Sequence, residues 1–284
     1  MAISEIGAVE KLTAQLDSNN LVQYQLPLAA INSDTTEKQS IALNPIIGKT
    51  LTLNFHGKIA CKHCGKITKK SYSQGFCYPC MIKLAQCDMC IMKPETCHHH
   101  LGTCREPQWG EKHCMVDHYV YLSNTSALKV GITRHTQIPT RWIDQGATQA
   151  LPIFKVSTRL QSGLVETALA EYIGDKTNWR AMLKGSNKAI DLKAEAKVLI
   201  PQIKQRLDEI ALKFGDDAVQ LLDEDIVDIN YPVSQYLTKI NSFNFDKTSS
   251  VSGVLLGIKG QYLIFEQGVI NMRKFASYQI SVEY

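Results

Sequence analysis

The sequence lacks the features that direct a protein to or across a membrane. No apolar run approaches the roughly 20 residues that a membrane-spanning helix requires. The opening segment, MAISEIGAVEKL, mixes acidic and apolar residues and has no basic stretch before an apolar core, so we expect no signal peptide. Without export, the chain does not meet the oxidising conditions in which disulfide bonds persist. We therefore expect a soluble cytoplasmic protein with reduced cysteines and no membrane partner.

A strong excess of one charge is also missing from the chain as a whole. Its 31 basic and 27 acidic residues leave a formal net charge of +4. The 284 residues, 44% of them hydrophobic, are enough for one large or two to three small packed units. The overall charge therefore says less than its distribution along the chain.

Cysteine, by contrast, is abundant and concentrated. Eight of the nine cysteines lie between Cys61 and Cys104, and the first six form three Cys-x-x-Cys pairs. Such a pair places two thiolates on one tight turn, and two pairs complete a tetrahedral four-sulfur site. The first site predicted in this way is a structural zinc site, of the zinc-ribbon or treble-clef type, formed by Cys61, Cys64, Cys77 and Cys80.

A second structural zinc site is predicted from Cys87, Cys90, Cys97 and Cys104. The sequence offers more candidate ligands than the four that this site needs, because histidines 98–100 adjoin Cys97 and both His113 and Cys114 follow closely. A site with three sulfurs and one histidine remains an alternative to four sulfurs, since both are common for structural zinc. Either closed shell leaves no position for a catalytic water molecule.

The cysteine block is also the basic part of the chain. Residues 58–114 contain nine lysines and arginines against four acids. In one interpretation these cations neutralise two four-thiolate zinc sites, each with a charge of about −2. In the other, Lys66, Lys69 and Lys70 form a basic knuckle that faces the phosphates of a nucleic acid. The sequence leaves both interpretations open.

The remaining segments are described by their periodicity and turn signals. Residues 22–59 are predicted as strands, and Pro201 kinks or restarts a helix at 193–214. Residues 233–284 are rich in short strands that suggest a small barrel or curled sheet with the N-terminal strands. The predicted elements of the central segment are a hairpin at 118–133, a short helix after Pro139, a strand at 151–157 and a helix at 163–173.

This central order of elements, with particular residues in it, resembles the GIY-YIG nuclease superfamily over residues 118–182. The residues that carry the resemblance are Tyr119-Val120-Tyr121 and Lys129-Val130-Gly131 at the two triplets, Arg141-Trp142 in the first helix, Glu166 in the next helix, and Asn178. The resemblance implies catalytic roles for Tyr121, Lys129, Arg141 and Glu166, with Mg²⁺ or Mn²⁺ at Glu166. The whole chain, through its "KVGITR" and "RWIDQGA" segments, also resembles a bacterial family of unknown function.

The chain departs from the superfamily pattern at several positions. The first triplet lacks its glycine, Lys129 replaces a tyrosine, and Gln145 stands where many members have a histidine or tyrosine base. Glutamine accepts no proton near neutral pH. A general base would then be Tyr121 itself, Lys129, or a histidine such as His118 or His135.

These observations predict an α+β protein with a zinc-knuckle or treble-clef-like cysteine block, a GIY-YIG-like α/β unit and a β-rich, barrel-like unit built from both termini. The predicted segments are N-terminal strands at 1–58, a double zinc-binding block at 59–115, the α/β domain at 116–190, a helix with an acidic connector at 191–230, and C-terminal strands at 231–284.

The predicted function is that of a zinc-stabilised nucleic-acid-binding protein with a GIY-YIG-like domain, for which the resemblance implies a Mg²⁺-dependent nuclease activity. Its predicted contacts to nucleic acid are Lys69, Lys70, Arg134 and Asn178. The alternatives are a non-catalytic nucleic-acid-binding or regulatory module, and a scaffold whose zinc knuckles bind another protein.

Overall fold

The computed structural model describes residues 4–30, 39–185 and 188–284. Residues 1–3 and 31–38 of the predicted N-terminal strand segment, and residues 186 and 187 of the predicted α/β domain, lie outside the described residues. No helix within the described ranges is long and apolar enough to cross a membrane.

The chain forms strands and helices in alternating groups. The strands are β1 (Ser4–Val9), β2 (Thr13–Leu16), β3 (Val22–Ala29), β4 (Gln39–Ala42), β5 (Thr50–Ile59), β6 (His118–Asn124), β7 (Leu128–Arg134), β8 (Gln149–Val156), β9 (Val219–Leu221), β10 (Val227–Asp228), β11 (Ser250–Lys259), β12 (Tyr262–Phe265), β13 (Gly268–Asn271) and β14 (Tyr278–Glu283). The α-helices are α1 (Tyr78–Lys83), α2 (Pro107–His113), α3 (Thr140–Asp144), α4 (Arg159–Ala170), α5 (Trp179–Met182), α6 (Leu192–Gln202) and α7 (Lys204–Phe214).

These elements divide into two compact units. The first contains residues 1–82, 183–185 and 229–284, and the second contains residues 83–182 and 186–228. The boundary at 82/83 separates the first four cysteines from the other five. The segment predicted as one cysteine block therefore contributes to both units.

The first unit is a curled antiparallel sheet made from both ends of the chain. Its strand order is β13-β12-β11-β5-β14-β1-β3-β2, and β4 pairs with β3. In β5, which lies in the segment predicted as strands, Leu51 and Leu53 are fully buried and alternate with the half-buried Thr52 and Asn54, so one face of the strand lies in the core. Register shifts in the β11–β12 and β5–β14 pairs add to the curl, because bulges increase local twist.

The second unit is built on a five-stranded antiparallel sheet with helices. The strand order is β10-β8-β6-β7, and β9 pairs with β8. The central strand β6 pairs with β7 through the predicted hairpin and with β8 on its other side. Apolar residues of these strands pack on α4, α6 and α7, with Val120, Val165 and Leu169 fully buried. The predicted mixed class and the predicted order of elements at 118–173 are therefore present.

Two predicted helix boundaries differ from the structure. The helix predicted at 163–173 begins four residues earlier, because Thr158 caps it by accepting a hydrogen bond from the Gln161 N–H at 3.3 Å. Ser162, the residue just before the predicted start, lies inside the helix and donates its hydroxyl hydrogen to the Arg159 carbonyl at 2.7 Å. The helix predicted at 193–214 is two helices, and α6 ends one residue after Pro201.

Candidate metal centre and buried ionisable cluster

The first four predicted ligands belong to a compact loop between β5 and α1. Cys61 follows the end of β5. Its N–H donates a hydrogen bond to the Lys66 carbonyl at 2.9 Å, and its carbonyl accepts one from the Gly65 N–H at 2.8 Å. Gly65 has φ +71°, a conformation that glycine adopts without steric cost. Cys77 and Cys80 flank the start of α1, and the Met81 N–H donates to the Cys77 carbonyl. These turns aim both cysteine pairs at one point.

The geometry of the four sulfurs fits a tetrahedral metal ion. The sulfurs of Cys61, Cys64, Cys77 and Cys80 all lie within 4.8 Å of one another. The Cys64 and Cys77 sulfurs are 3.7 Å apart. A tetrahedron with Zn–S bonds of about 2.3 Å has edges of about 3.8 Å, so this spacing is that of a zinc shell. We conclude that the cluster is suited to a structural zinc ion held by four thiolates.

The backbone around Cys61 favours its thiolate form. Burial acts to raise the pKa of Cys61, but hydrogen bonds from the backbone N–H groups of Cys64, Cys77 and His63 outweigh it and lower the pKa to about 6. Burial and the neighbouring sulfurs raise the pKa of Cys80. The set therefore contains one thiol whose pKa is lowered and another whose pKa is raised.

The predicted basic knuckle lies on the same loop. Lys66, Lys69 and Lys70 are all exposed, and the Lys70 ammonium lies 5.6 Å from the centre of the Tyr72 ring. The other two predicted nucleic-acid contacts, Arg134 and Asn178, belong to the second unit. Asn178 has a structural role there, since its Oδ1 accepts the Ala181 N–H at 3.1 Å at the start of α5.

The later cysteines lie in the second unit. Cys90, Cys97, Cys104 and Cys114 line one small cavity together with Asp88, His98 and His99. Cys87, the remaining predicted ligand, is half-buried and is not among the described residues that line this cavity. The ligand shell proposed from spacing and the set of thiols around the cavity therefore differ by one cysteine.

The four residues predicted as catalytic come from four different elements of the second unit and interact with one another. Tyr121 of β6 is fully buried and Lys129 of β7 is 5% exposed, while Arg141 of α3 and Glu166 of α4 are half-buried. Arg141 hydrogen-bonds the Tyr121 hydroxyl and acts electrostatically on both Lys129 and Glu166. Residues separated by 45 positions in sequence thus form one buried ionisable cluster.

The pKa values in this cluster are strongly shifted. Burial raises the pKa of Glu166 to about 7, although the positive charges of Lys129 and Arg141 oppose it. Burial and then the Arg141 charge lower the pKa of Lys129 to about 8, against the attraction of Glu166. Burial raises the pKa of Tyr121 to about 12. Two groups of the cluster therefore titrate close to neutral pH, while the tyrosine stays protonated.

Sequence reasoning did not assign two residues that belong to this cluster. The sequence analysis gave Gln145 no role, because it stands where many members of the superfamily have a histidine or tyrosine base. In the structure, its Oε1 accepts the Tyr121 hydroxyl hydrogen at 3.1 Å. Asp175 acts on both Lys129 and Glu166. It is brought there because the Val130 N–H donates to the Gly174 carbonyl at 3.0 Å, a long-range contact with no signal in local sequence.

The histidines suggested as bases lie elsewhere in this unit. His118 is fully buried, its Nδ1 is 2.7 Å from the Val116 carbonyl, and its Nε2 has no hydrogen-bond partner within the described ranges. Burial lowers the pKa of His118 to about 4, so its ring is neutral at pH 7. His135 is exposed, and its ring centre is 5.7 Å from that of Tyr119.

These features define a two-unit α/β protein with a four-cysteine cluster suited to a metal ion. The chain belongs to the family described as "Protein of unknown function (DUF2797)", which matches residues 48–280 and so includes all nine cysteines and the ionisable cluster. No curated protein and no solved structure matches the chain. Any function must therefore be argued from the chemistry of the two sites.

Proposed function

We propose that this protein binds nucleic acid and cleaves it as a Mg²⁺-dependent phosphodiesterase, with a GIY-YIG-like unit at residues 118–182. The observation that carries the proposal is the buried cluster of Tyr121, Lys129, Arg141 and Glu166. Burial of several ionisable side chains with pKa values moved toward neutrality is costly for stability and is concentrated at functional sites.

Glu166 is the candidate metal ligand of the cluster. Its carboxylate lies near the charges of Asp175 and Lys129, and the oxygen atoms of two acids suit a hard cation. When bound, Mg²⁺ would supply positive charge to the oxygens of the phosphodiester. Because a nearby cation favours the charged form of an acid, binding would lower the pKa of Glu166 from its value of about 7.

Lys129 and Arg141 supply the remaining positive charge. Arg141 is held by its hydrogen bond to Tyr121, and its guanidinium would offset the negative charge that develops in the transition state. Lys129, with a pKa of about 8, is able to donate or accept a proton near neutral pH. Tyr121, with a pKa of about 12 and its hydroxyl hydrogen given to Gln145, acts as a hydrogen-bonding residue instead of a base.

The second candidate function is a nucleic-acid-binding module without catalysis. The contact that favours it is the hydrogen bond from Tyr121 to Gln145, because it occupies the tyrosine hydroxyl with a residue that cannot accept its proton. In this alternative the exposed lysines of the basic knuckle contact phosphates, and the ionisable cluster binds a phosphate without breaking it.

The two candidates are separated by a cleavage assay on single- and double-stranded DNA and RNA with Mg²⁺ or Mn²⁺. We expect Glu166→Gln to lower the cleavage rate by at least about 100-fold, because glutamine keeps the size but loses the anionic oxygen. The matched control is Glu171→Gln, an exposed acid just beyond the end of α4, which should retain activity. Arg141→Ala should lower kcat more than it raises KM.

Each outcome of this assay is decisive. Equal activity in the wild type and the Glu166 and Arg141 variants indicates a contaminating nuclease and contradicts the proposal. Salt-dependent binding without cleavage under any condition supports the binding module. An absence of both binding and cleavage leaves the protein-interaction scaffold.

A further inference from the structure

Three separate segments of the second unit bring buried thiols together. Cys90 belongs to the short 3₁₀ helix at Met89–Ile91, Cys97 follows a second one at Pro94–Thr96, and Cys114 ends α2. The three side chains pack in one cluster with Leu160 of α4. Ordinary buried cysteines need no such convergence from three segments, whereas a metal shell does.

One pair of these thiols is in direct contact, and all four cysteines line a common space. Cys97 and Cys114 are hydrogen-bonded through their sulfurs, and Cys104 and Cys97 both act electrostatically on Cys90. These four cysteines line a cavity of about 10 Å³. A space of this size accepts a single small ion or about one water molecule and excludes an organic ligand.

A glycine allows this close assembly. A Cβ atom at Gly163 of α4 would lie 2.2 Å from the Glu95 backbone nitrogen, so only glycine lets the 3₁₀ helix before Cys97 approach α4. The Arg159 N–H, at the start of the same helix, donates to the Cys114 carbonyl at 2.8 Å. Helix α4 therefore holds two of the cysteine segments in place through backbone contacts.

The Arg159 side chain provides a matching positive charge. Its guanidinium donates to the Cys90 carbonyl at 3.2 Å and to the Ile91 carbonyl at 2.7 Å, and it interacts electrostatically with Cys114. Burial of an uncompensated guanidinium is costly, and a zinc ion with four thiolates has a net charge of about −2. Arg159 and the metal shell thus offset each other's charge.

The polar groups beside the cysteines are engaged with other partners. Asp88, Cys90 and His98 offer ligand atoms within 4.8 Å of one another. However, one Asp88 oxygen is 2.6 Å from the Arg105 guanidinium, and the other accepts the Cys90 N–H at 3.3 Å. His98 Nδ1 is 2.8 Å from the Thr103 hydroxyl. The acid and the imidazole therefore have contacts that would let them orient the segments that carry the thiols.

We propose that Cys90, Cys97, Cys104 and Cys114 bind a second structural zinc ion, with Arg159 as its counter-charge. Cys114 takes the position that spacing assigned to Cys87. The protein then contains one zinc ion in each unit, and the zinc ion of the second unit stabilises the start of the helix that carries Glu166.

The test compares Cys114→Ser with Cys87→Ser, two identical substitutions that the proposal separates. Native mass spectrometry and elemental analysis should find two zinc ions per chain in the wild type and in Cys87→Ser, but one in Cys114→Ser. Cys114→His, which restores a zinc ligand, should recover the second ion. One zinc ion in the wild type, or loss of zinc in Cys87→Ser with retention in Cys114→Ser, overturns the proposal.

A measurement on the wild type covers the case in which Cys114→Ser does not fold. Cys87 and Cys104 are both half-buried, so the change in their alkylation rate on removal of zinc, and not the absolute rate, tests which of them binds metal. We expect the alkylation rate of Cys104 to rise when a chelator removes zinc and that of Cys87 to be the same before and after. Equal zinc dependence at the two cysteines, or a Cys97–Cys114 disulfide in protein purified without oxidant, refutes the site.

Discussion

Gly131 lies directly across the β6–β7 hairpin from Tyr121, and a Cβ atom at Gly131 would lie 2.6 Å from the Tyr121 hydroxyl oxygen. The tyrosine ring therefore occupies the space that a side chain at position 131 would need. It also contacts the Trp142 ring, with ring centres 5.9 Å apart. The glycine thus sets the position of the Tyr121 hydroxyl, and through it those of Arg141 and Gln145.

We expect Gly131→Ala to destabilise the protein by about 1–3 kcal/mol, because the added methyl group overpacks a buried site. Gly174→Ala is the matched control, since the nearest atom to its Cβ would be the Leu128 carbonyl oxygen at 4.0 Å. Denaturant unfolding followed by tryptophan fluorescence measures both. Equal stability of the two variants would show that Tyr121 is free to move away.

The raised pKa of Glu166 predicts a pH dependence of stability with a defined sign. Between its ordinary value of 4.5 and about 7, the folded protein binds more protons at Glu166 than the unfolded chain does. The contribution of Glu166 to the unfolding free energy therefore falls as the pH rises through this window. Relative to Glu166→Gln, the wild type should lose about 2 kcal/mol between pH 4.5 and 8, with allowance for the half-buried side chain.

This comparison has an internal control. Both proteins retain the same thiol sites, so the pH dependence of metal binding cancels in the difference between them. A difference between wild type and Glu166→Gln that is constant from pH 4.5 to 8 contradicts the raised pKa.

Substitution of one cysteine in the cluster of Cys61, Cys64, Cys77 and Cys80 should have a specific effect on zinc content and stability. Cys64→Ser should remove one zinc ion per chain and lower the unfolding free energy by about 3 kcal/mol or more, because binding to a site formed only on folding is folding free energy. His63→Ala is the control, since the backbone N–H of His63 contacts Cys61 while its side chain is exposed. Zinc content and thermal unfolding check both variants. A wild type without zinc would refute this site.

The exposed lysines of the basic knuckle predict a salt-dependent affinity for nucleic acid. Changing Lys69 and Lys70 to Glu should weaken binding to all sequences alike and reduce the salt slope by about two, because phosphate contacts release counterions without reading bases. The same change at Lys49 and Lys247, two exposed lysines of the same unit, controls for net charge. Fluorescence anisotropy at several salt concentrations measures the slope. If both double substitutions weaken binding equally, the basic knuckle contributes only through net charge and makes no localised contact with the nucleic acid.

Much of this protein follows from short-range sequence signals. The first metal site was predicted correctly as a cluster because Cys61 and Cys64 share one turn, Cys77 and Cys80 share another, and only 12 residues separate the pairs. The hairpin at 118–133 and the alternation of buried and half-buried residues in β5 also follow from signals within short segments of the sequence. Such features depend on turn chemistry and on periodicity, which the order of residues determines without reference to the rest of the fold.

Other features were decided by tertiary structure. Spacing favoured Cys87 over Cys114 because Cys87 begins a Cys-x-x-Cys pair, but contacts with α4 bring Cys114 to the cavity instead. Asp175 reaches the ionisable cluster only through the contact between Val130 and Gly174.

The sequence by itself therefore determined the cysteine turns, the strand alternation and the kinds of ionisable side chain that this protein contains. Which thiols meet, and which carboxyl group has a pKa near 7, were decided only by the tertiary structure. The physical reason is that desolvation and metal-shell closure depend on every segment packed around a group, and those segments are distant in sequence.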